Sequence, residues 1–228
     1  MLLTPVGLAG IVSVGGIVTP PAPTPPLFEG FEPYAAGGLG SQGLWSPMQG
    51  DGNRPRIDVI AGSLMDGVNC LGLVDAGGTL AWGYVERALP AAITVGHNWK
   101  VSFNVLIPAG ATGHNIEVDL LAGLVDPGYT KWSLGLVALS NGTQSTLNIY
   151  DRDGLTNINL GTLNVKIPLV LHVLTSGTFT IENPSGGILF GGVLFTGNEI
   201  VTEFSFSTDG AVPPGSAKWD SFLFEVLP

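Results

Sequence analysis

Charge is scarce in this sequence. Lys and Arg number 8 and Asp and Glu 18 in 228 residues, so 11% of the chain is charged and the formal net charge is −10. So few cations cannot displace the counterions of a polyanion, which excludes nucleic acid as a partner. The same shortage excludes electrostatic attraction to an anionic membrane surface. Cysteine is nearly absent: Cys70 stands alone in "VNCLGLV". That excludes an internal disulfide and a cysteine-rich metal site, and the apolar setting reads as a buried thiol rather than a nucleophile. A sustained helical period is missing too. Since 45% of residues are apolar, there is ample material for a core, and so uncharged a surface points to apolar area covered by a partner.

Glycine is the opposite case, with 34 residues. The stretch "GLGSQG" at 38–43 matches G-x-G-x-x-G, but a dinucleotide fingerprint needs a helix directly after it to aim N–H groups at a pyrophosphate. Pro47, Gly50, Gly52 and Pro55 forbid such a helix, so the nucleotide reading is set aside. The glycines belong to turns instead: "DAGG", "PAGATG", "DPGY", "SNGT", "DRDG", "NPSGG" and "TDGAVPPG" carry turn chemistry. Between them lie strand-like runs, among them "LFEGFE", "RIDVIAG", "TLAWGYVERAL", "WKVSFNVLIP", "KWSLGLVAL", "STLNIYD", "GILFGGVLF", "IVTEFSFST" and "KWDSFLFEVL". In "WKVSFNVLI", Val101, Phe103, Val105 and Ile107 fall on one face and Lys100, Ser102 and Asn104 on the other, the period of a half-buried strand. Many such runs at short spacing predict an all-β sandwich or barrel.

The first 26 residues differ from the rest. They contain no charged side chain, and Pro5, Gly7, Gly10, Gly15 and Gly16 interrupt any apolar helix, so neither a secretory signal nor a spanning helix is read there. "IVSV" and "IVTP" flank Gly15 and Gly16, a hairpin signal. "TPPAPTPP" at 19–26 follows as a polyproline-II spacer of roughly 25 Å. A lone hairpin is marginal in water, so Val6, Leu8, Ile11, Val12, Val14, Ile17 and Val18 are expected to form an assembly arm that docks on a neighbouring subunit or another protein. Residues 1–26 are thus an arm with spacer, and 27–228 one domain.

Once the strands are placed, the ends of that domain resemble concanavalin A-like (laminin G-like) jelly rolls. "LFEGFEPYAAGGLGSQGLW" at 27–45 is similar to the family's opening, with Phe28, Phe31, Tyr34, Gln42, Gly43 and Trp45 matching. "AKWDSFLFEVLP" resembles its last strand, which lies beside the first, and "NIYDRDGLTNINLGTL" its mid-domain hairpin. The resemblance implies a two-sheet antiparallel jelly-roll sandwich. The family includes lectins, sugar-binding modules, glucanases and phage and bacterial surface proteins, so fold does not decide function.

Catalytic and metal motifs are incomplete. "EVDLLAG" resembles the E-x-D-x-E strand of glucanases of this fold, with Glu117 and Asp119 in the first two positions, but Leu121 stands where the second glutamate belongs. A retaining mechanism needs both carboxyls, so no enzyme and no catalytic residue is expected. "DRDG" at 151–154 reads as a tight hairpin rather than a calcium loop, because Thr162 occupies the twelfth position where a carboxylate is needed. His97, His114 and His172 lack metal-ligand spacing, so no metal or cofactor is expected. "NGT" at Asn141 is simply a turn. Trp82, Tyr84, Tyr129 and Trp132 are candidates for glycan stacking, although sandwich cores also use tryptophan heavily.

The expectation from these features is a non-enzymatic structural or adhesive protein. It is read as a phage virion component decorating capsid or tail, made in the host cytoplasm, displayed on the virion surface and bound to other subunits as an oligomer or lattice. The alternatives are a carbohydrate-binding module acting on surface glycans and a degenerate glycoside hydrolase.

Overall fold

Alternation and turn chemistry do place the strands. The computed structural model describes residues 27–47, 49–50, 56–62, 64–74, 83–90, 98–111, 116–122, 132–194, 201–208 and 216–227. The expected arm and spacer at 1–26 lie outside them. In chain order the strands begin with β1 (Leu27–Glu29), β2 (Gly37–Gly38), β3 (Gln49–Gly50), β4 (Arg56–Ala61), β5 (Asn69–Val74) and β6 (Gly83–Ala88). Next come β7 (Trp99–Leu106), β8 (Glu117–Ala122), β9 (Trp132–Ser140), β10 (Ser145–Asp151) and β11 (Gly154–Gly161). The last are β12 (Lys166–Val173), β13 (Thr178–Glu182), β14 (Ile188–Val193), β15 (Val201–Thr208) and β16 (Lys218–Val226).

Two antiparallel sheets result, the expected sandwich. The nine-stranded sheet runs β14-β13-β12-β7-β16-β5-β4-β2, with β1 also on β16; the seven-stranded sheet runs β11-β10-β9-β8-β15-β6-β3. Their facing sides make one core. Val101, Phe103 and Val105 of β7 meet Val118 and Leu120 of β8, Leu134 and Leu136 of β9 and Phe204 and Phe206 of β15, all buried. Phe204 lies 4.8 Å from Phe224 and 5.1 Å from Trp45, centroid to centroid. Each such side chain contributes roughly 1.5–3 kcal/mol by leaving water. Trp45, Trp99 and Trp219 all belong to this core, which takes three of the five tryptophans.

The resemblance at the ends has a structural meaning. Leu27, Phe28 and Glu29 pair with Phe224, Leu223 and Phe222, so the first strand lies beside the last. β1 is shorter than the predicted "LFEGFE" because a turn begins at once, with the Tyr34 N–H donating to the Phe31 carbonyl at 3.2 Å. The glycine-rich stretch that follows folds around one amide. Gln42 donates to the carbonyls of Ala35 (3.0 Å) and Gly38 (2.8 Å) and accepts the Ala35 N–H (2.9 Å). Among the described residues no helix follows it, so the fingerprint match lies in a loop, and Gly37 with the match's first residue, Gly38, forms β2 against β4. Gly43 has φ +57, and a Cβ there would meet the Tyr34 ring at 2.8 Å, which is why the matching position is glycine.

Two departures from plain alternation matter below. In β16, Asp220 stands opposite Asn104 and Leu223 opposite Ser102, so one extra residue is accommodated as a bulge, with Ser221 at φ 57. Asp220 is thereby buried on the outer side of the larger sheet. Between the sheets, the Arg87 guanidinium on β6 forms an ion pair with Glu29 on β1, both side chains buried.

Candidate functional site

The outer face of the seven-stranded sheet gathers the polar side chains that alternation turns away from the core. Val85, Phe204 and Phe206, Val118 and Leu120, Leu134 and Leu136, and Leu147 and Ile149 point inward. Their neighbours therefore point outward: Tyr84 and Glu86, Ser205 and Ser207, Glu117 and Asp119, Gly135 and Val137, Asn148 and Tyr150. Register sets these in rows. One row runs Tyr84, Ser207, Glu117, Val137, Asn148, Asn157; the next runs Glu86, Ser205, Asp119, Gly135, Tyr150, Leu155.

The second row has the shape of a site. Gly135, itself buried, brings no side chain between Asp119 and Tyr150, whose backbones are two strand spacings, about 10 Å, apart. Asp119 is 3% exposed, and its Oδ2 accepts the Ser205 hydroxyl at 3.2 Å and the Ser207 hydroxyl at 2.7 Å. Those bonds hold the two hydroxyls and the carboxylate as one rigid polar bank. Tyr150 and Asn148 are half-buried on the far bank, and Asn148 Oδ1, on which a donor could land, has no hydrogen-bond partner among the described residues. The half-buried Ser207, Asn148 and Tyr150 offer a hydroxyl, an amide and a ring face to a polyhydroxylated ligand, with Asp119 and Ser205 buried behind them.

The expected site residues are distributed as follows. Glu117 and Asp119 do share a face of β8, as their spacing predicts. A register shift follows between Leu120 and Leu121, so the strand leaves simple alternation at the third position of the motif. Glu86 and Glu203, which the sequence reading did not consider, lie on neighbouring β6 and β15. Tyr84 is half-buried on β6. Trp132 opens β9 opposite Leu121, which pairs with Glu203 and so with Ala88. Tyr84 and Trp132 are thus three strands and four residues apart, and their positions do not make one platform. Trp82 and Tyr129 lie outside the described residues, as does the arm. Tyr150, Asn148 and Asn157 were missed. Their signal was the alternation of "STLNIYD" and "LTNINL", which names outward positions without saying which strand stands beside them.

The remaining candidates are structural. Asp151 and Gly154 close the β10–β11 hairpin, and Asp151 Oδ1 accepts the Asp153 N–H at 3.0 Å, so "DRDG" is the tight turn expected. At "SNGT", Asn141 Oδ1 accepts the Thr143 and Gln144 N–H groups at 3.0 and 2.9 Å. His172 sits on the larger sheet with its Nδ1 3.2 Å from Glu182 Oε1, while His97 and His114 lie outside the described residues. Cys70 is fully buried, and burial pushes its thiol up to about 11, which keeps it protonated and unreactive. Among the described residues no three His, Cys, Asp or Glu side chains are placed to hold a metal ion.

No protein-family model matches the chain, and no curated protein matches its sequence. Solved structures do match it. The globular domain of T. cruzi calreticulin superposes with a TM-score of 0.59 at 13% identity, over 89% of this chain and 88% of that one. The lectin UEA-II complexed with galactose gives 0.55 at 10% identity, over 91% and 100%. A sialidase gives 0.53 at 11% identity, over 88% of this chain but 18% of that one. At these identities the likeness is one of fold, and the fold is the concanavalin A-like jelly roll.

Proposed function

We propose that this concanavalin A-like jelly roll is a non-catalytic carbohydrate-binding module whose ligand lies across the Asp119–Gly135–Tyr150 row. The observation that carries the reading is the row itself: a glycine that brings no side chain, with a serine-bracketed carboxylate on one side and an aromatic ring and an amide on the other. Structural neighbours that include a lectin complexed with galactose support a sugar as the ligand. The clustered carboxylates favour a neutral glycan over an anionic one, because a second negative charge there would be repelled. A role in a virus particle has no support among the structural neighbours. The degenerate-hydrolase reading is weaker than binding because Asp119 is already engaged by two serine hydroxyls, which hold it as an acceptor rather than leave it to move a proton.

The test is a panel of neutral and anionic oligosaccharides offered to the full chain. Binding to neutral members, reduced at least tenfold by Tyr150→Ala and by Asn148→Ala with melting temperature unchanged, is the expected result. Absence of binding to every oligosaccharide sinks the reading. Release of new reducing ends that disappears in Glu117→Gln would replace binding with catalysis.

A further inference from the structure

The outer face of the smaller sheet changes character midway. Its acidic side chains Glu86, Glu117 and Asp119 stand on β6 and β8. From β9 to β11 the outward positions carry no charge. Four of them meet there in two directly opposed pairs, Asn148 with Asn157 and Tyr150 with Leu155. Opposed side chains in an antiparallel ladder have Cβ atoms about 4.5–5.5 Å apart. The two pairs lie two residues apart along each strand, about 7 Å.

The first pair holds two uncommitted amides. Asn148 Oδ1 has no hydrogen-bond partner among the described residues, and the exposed Asn157 bonds its side chain to none of them. Asn159, one outward position further along β11, shows what a structural amide does instead. Its Nδ2 donates to Gln144 Oε1 at 2.8 Å and its Oδ1 accepts the Gly161 N–H at 2.8 Å. The second pair is apolar: Leu155 is 53% exposed beside the half-buried Tyr150 ring. An amide pair calls for a partner with both a donor and an acceptor, and an exposed leucine for an alkyl group that takes it out of water.

We infer that this end of the face recognises the acetamido group of a neutral N-acetylhexosamine, an inference that rests on the reading of the face as a glycan site. An acetamido group is a planar amide that ends in a methyl. Its N–H suits Asn148 Oδ1, its carbonyl suits the Asn157 amide N–H, and its methyl covers Leu155, with the pyranose ring against Tyr150. A hexose with a hydroxyl at the same carbon reaches one amide at most and leaves Leu155 in water. A free amine at that carbon is an ammonium with donors only, so it leaves the Asn157 N–H unmet and is drawn towards the carboxylates of β6 and β8 instead. An acidic sugar brings a negative charge onto a face that already carries several.

Oligosaccharides matched in length, linkage and stereochemistry, and differing only in that one substituent, test this on the full chain by titration calorimetry. The pairs are chito- against cello-oligosaccharides and N-acetylgalactosamine against galactose glycosides, with de-N-acetylated chito-oligosaccharides as the amine. In at least one pair the N-acetylated member should bind at least tenfold tighter than its hydroxyl counterpart, and the amine no tighter than that counterpart. In Asn157→Ala and in Leu155→Ala, both exposed positions, the preference should fall below threefold with the melting temperature unchanged. Equal binding within both pairs, a preference that survives both substitutions, or a preference for the amine overturns the inference and leaves the glycan site standing. Absence of binding to every oligosaccharide removes the site and the inference together.

Discussion

Asp220 is 2% exposed yet carries a carboxyl group. Burial raises its pKa to about 6; the Ser221 N–H, 2.7 Å from Oδ1, pulls the other way, and the Asp66 and Glu32 carboxylates push it up further. A folded-state value above the unfolded one means that the native protein binds the proton more tightly. Stability should therefore fall as pH rises from about 4, the ordinary aspartate value, to about 6, and remain lower above it. Asp220→Asn keeps the acceptor for Ser221 and removes the charge, so it should raise the melting temperature at pH 7.5 by several degrees, of the order of 2 kcal/mol. At pH 4 it should change little. Equal melting curves at both pH values would show that Asp220 is solvated. The sequence shows this aspartate ahead of an apolar run, but not its depth, which depends on a bulge and on Asp66 arriving from a loop 154 residues earlier. Tyr150 and Asn148 were hidden for the same reason: alternation tells which way a side chain points, and only register tells what stands next to it.

At the scale of elements, the β10–β11 hairpin was legible to the residue because Asp-Arg-Asp-Gly chemistry is local. The two-residue β2 (Gly37–Gly38) and β3 (Gln49–Gly50) were not, since two residues show no alternation to read. β14 contains a constraint of another kind. A Cβ on Gly192 would lie 2.3 Å from Asp151 Oδ2 and 2.7 Å from the Phe179 ring, because the end of β14 packs against the hairpin turn of the opposite sheet. Gly192→Ala should destabilise by about 1–3 kcal/mol through that crowding, lowering the denaturant midpoint with an unchanged slope. Gly191→Ala, whose nearest contacts lie beyond 3.6 Å, is the control and should be nearly silent on this count. Equal effects at the two positions would attribute the loss to glycine entropy rather than to the contact.

For the whole molecule, two sheets and their shared core were written in the spacing of apolar residues and turns, whereas strand order was not, because any antiparallel sandwich satisfies the same alternation. The order has a consequence for how the chain reaches its native state. β16, the final strand, lies inside the larger sheet, bonded to β7 on one side and to β5 and β1 on the other. Until residues 218–226 arrive, β7 exposes a long apolar edge and β1 has nothing to pair with. Folding therefore waits for residues 218–226 and proceeds through contacts far apart in sequence, the slow regime for a β protein. Refolding from denaturant should be slow, on the order of seconds or longer, and more prone to aggregation as concentration rises. A chain stopped at residue 215 should be recovered as aggregate rather than as a weakened sandwich; recovery as a soluble, cooperatively melting protein would show that the sheet can close without its last strand. In the cell, a ribosome that stalls between residues 208 and 218 holds a nascent chain with fifteen of the sixteen described strands made and the larger sheet still open at its middle.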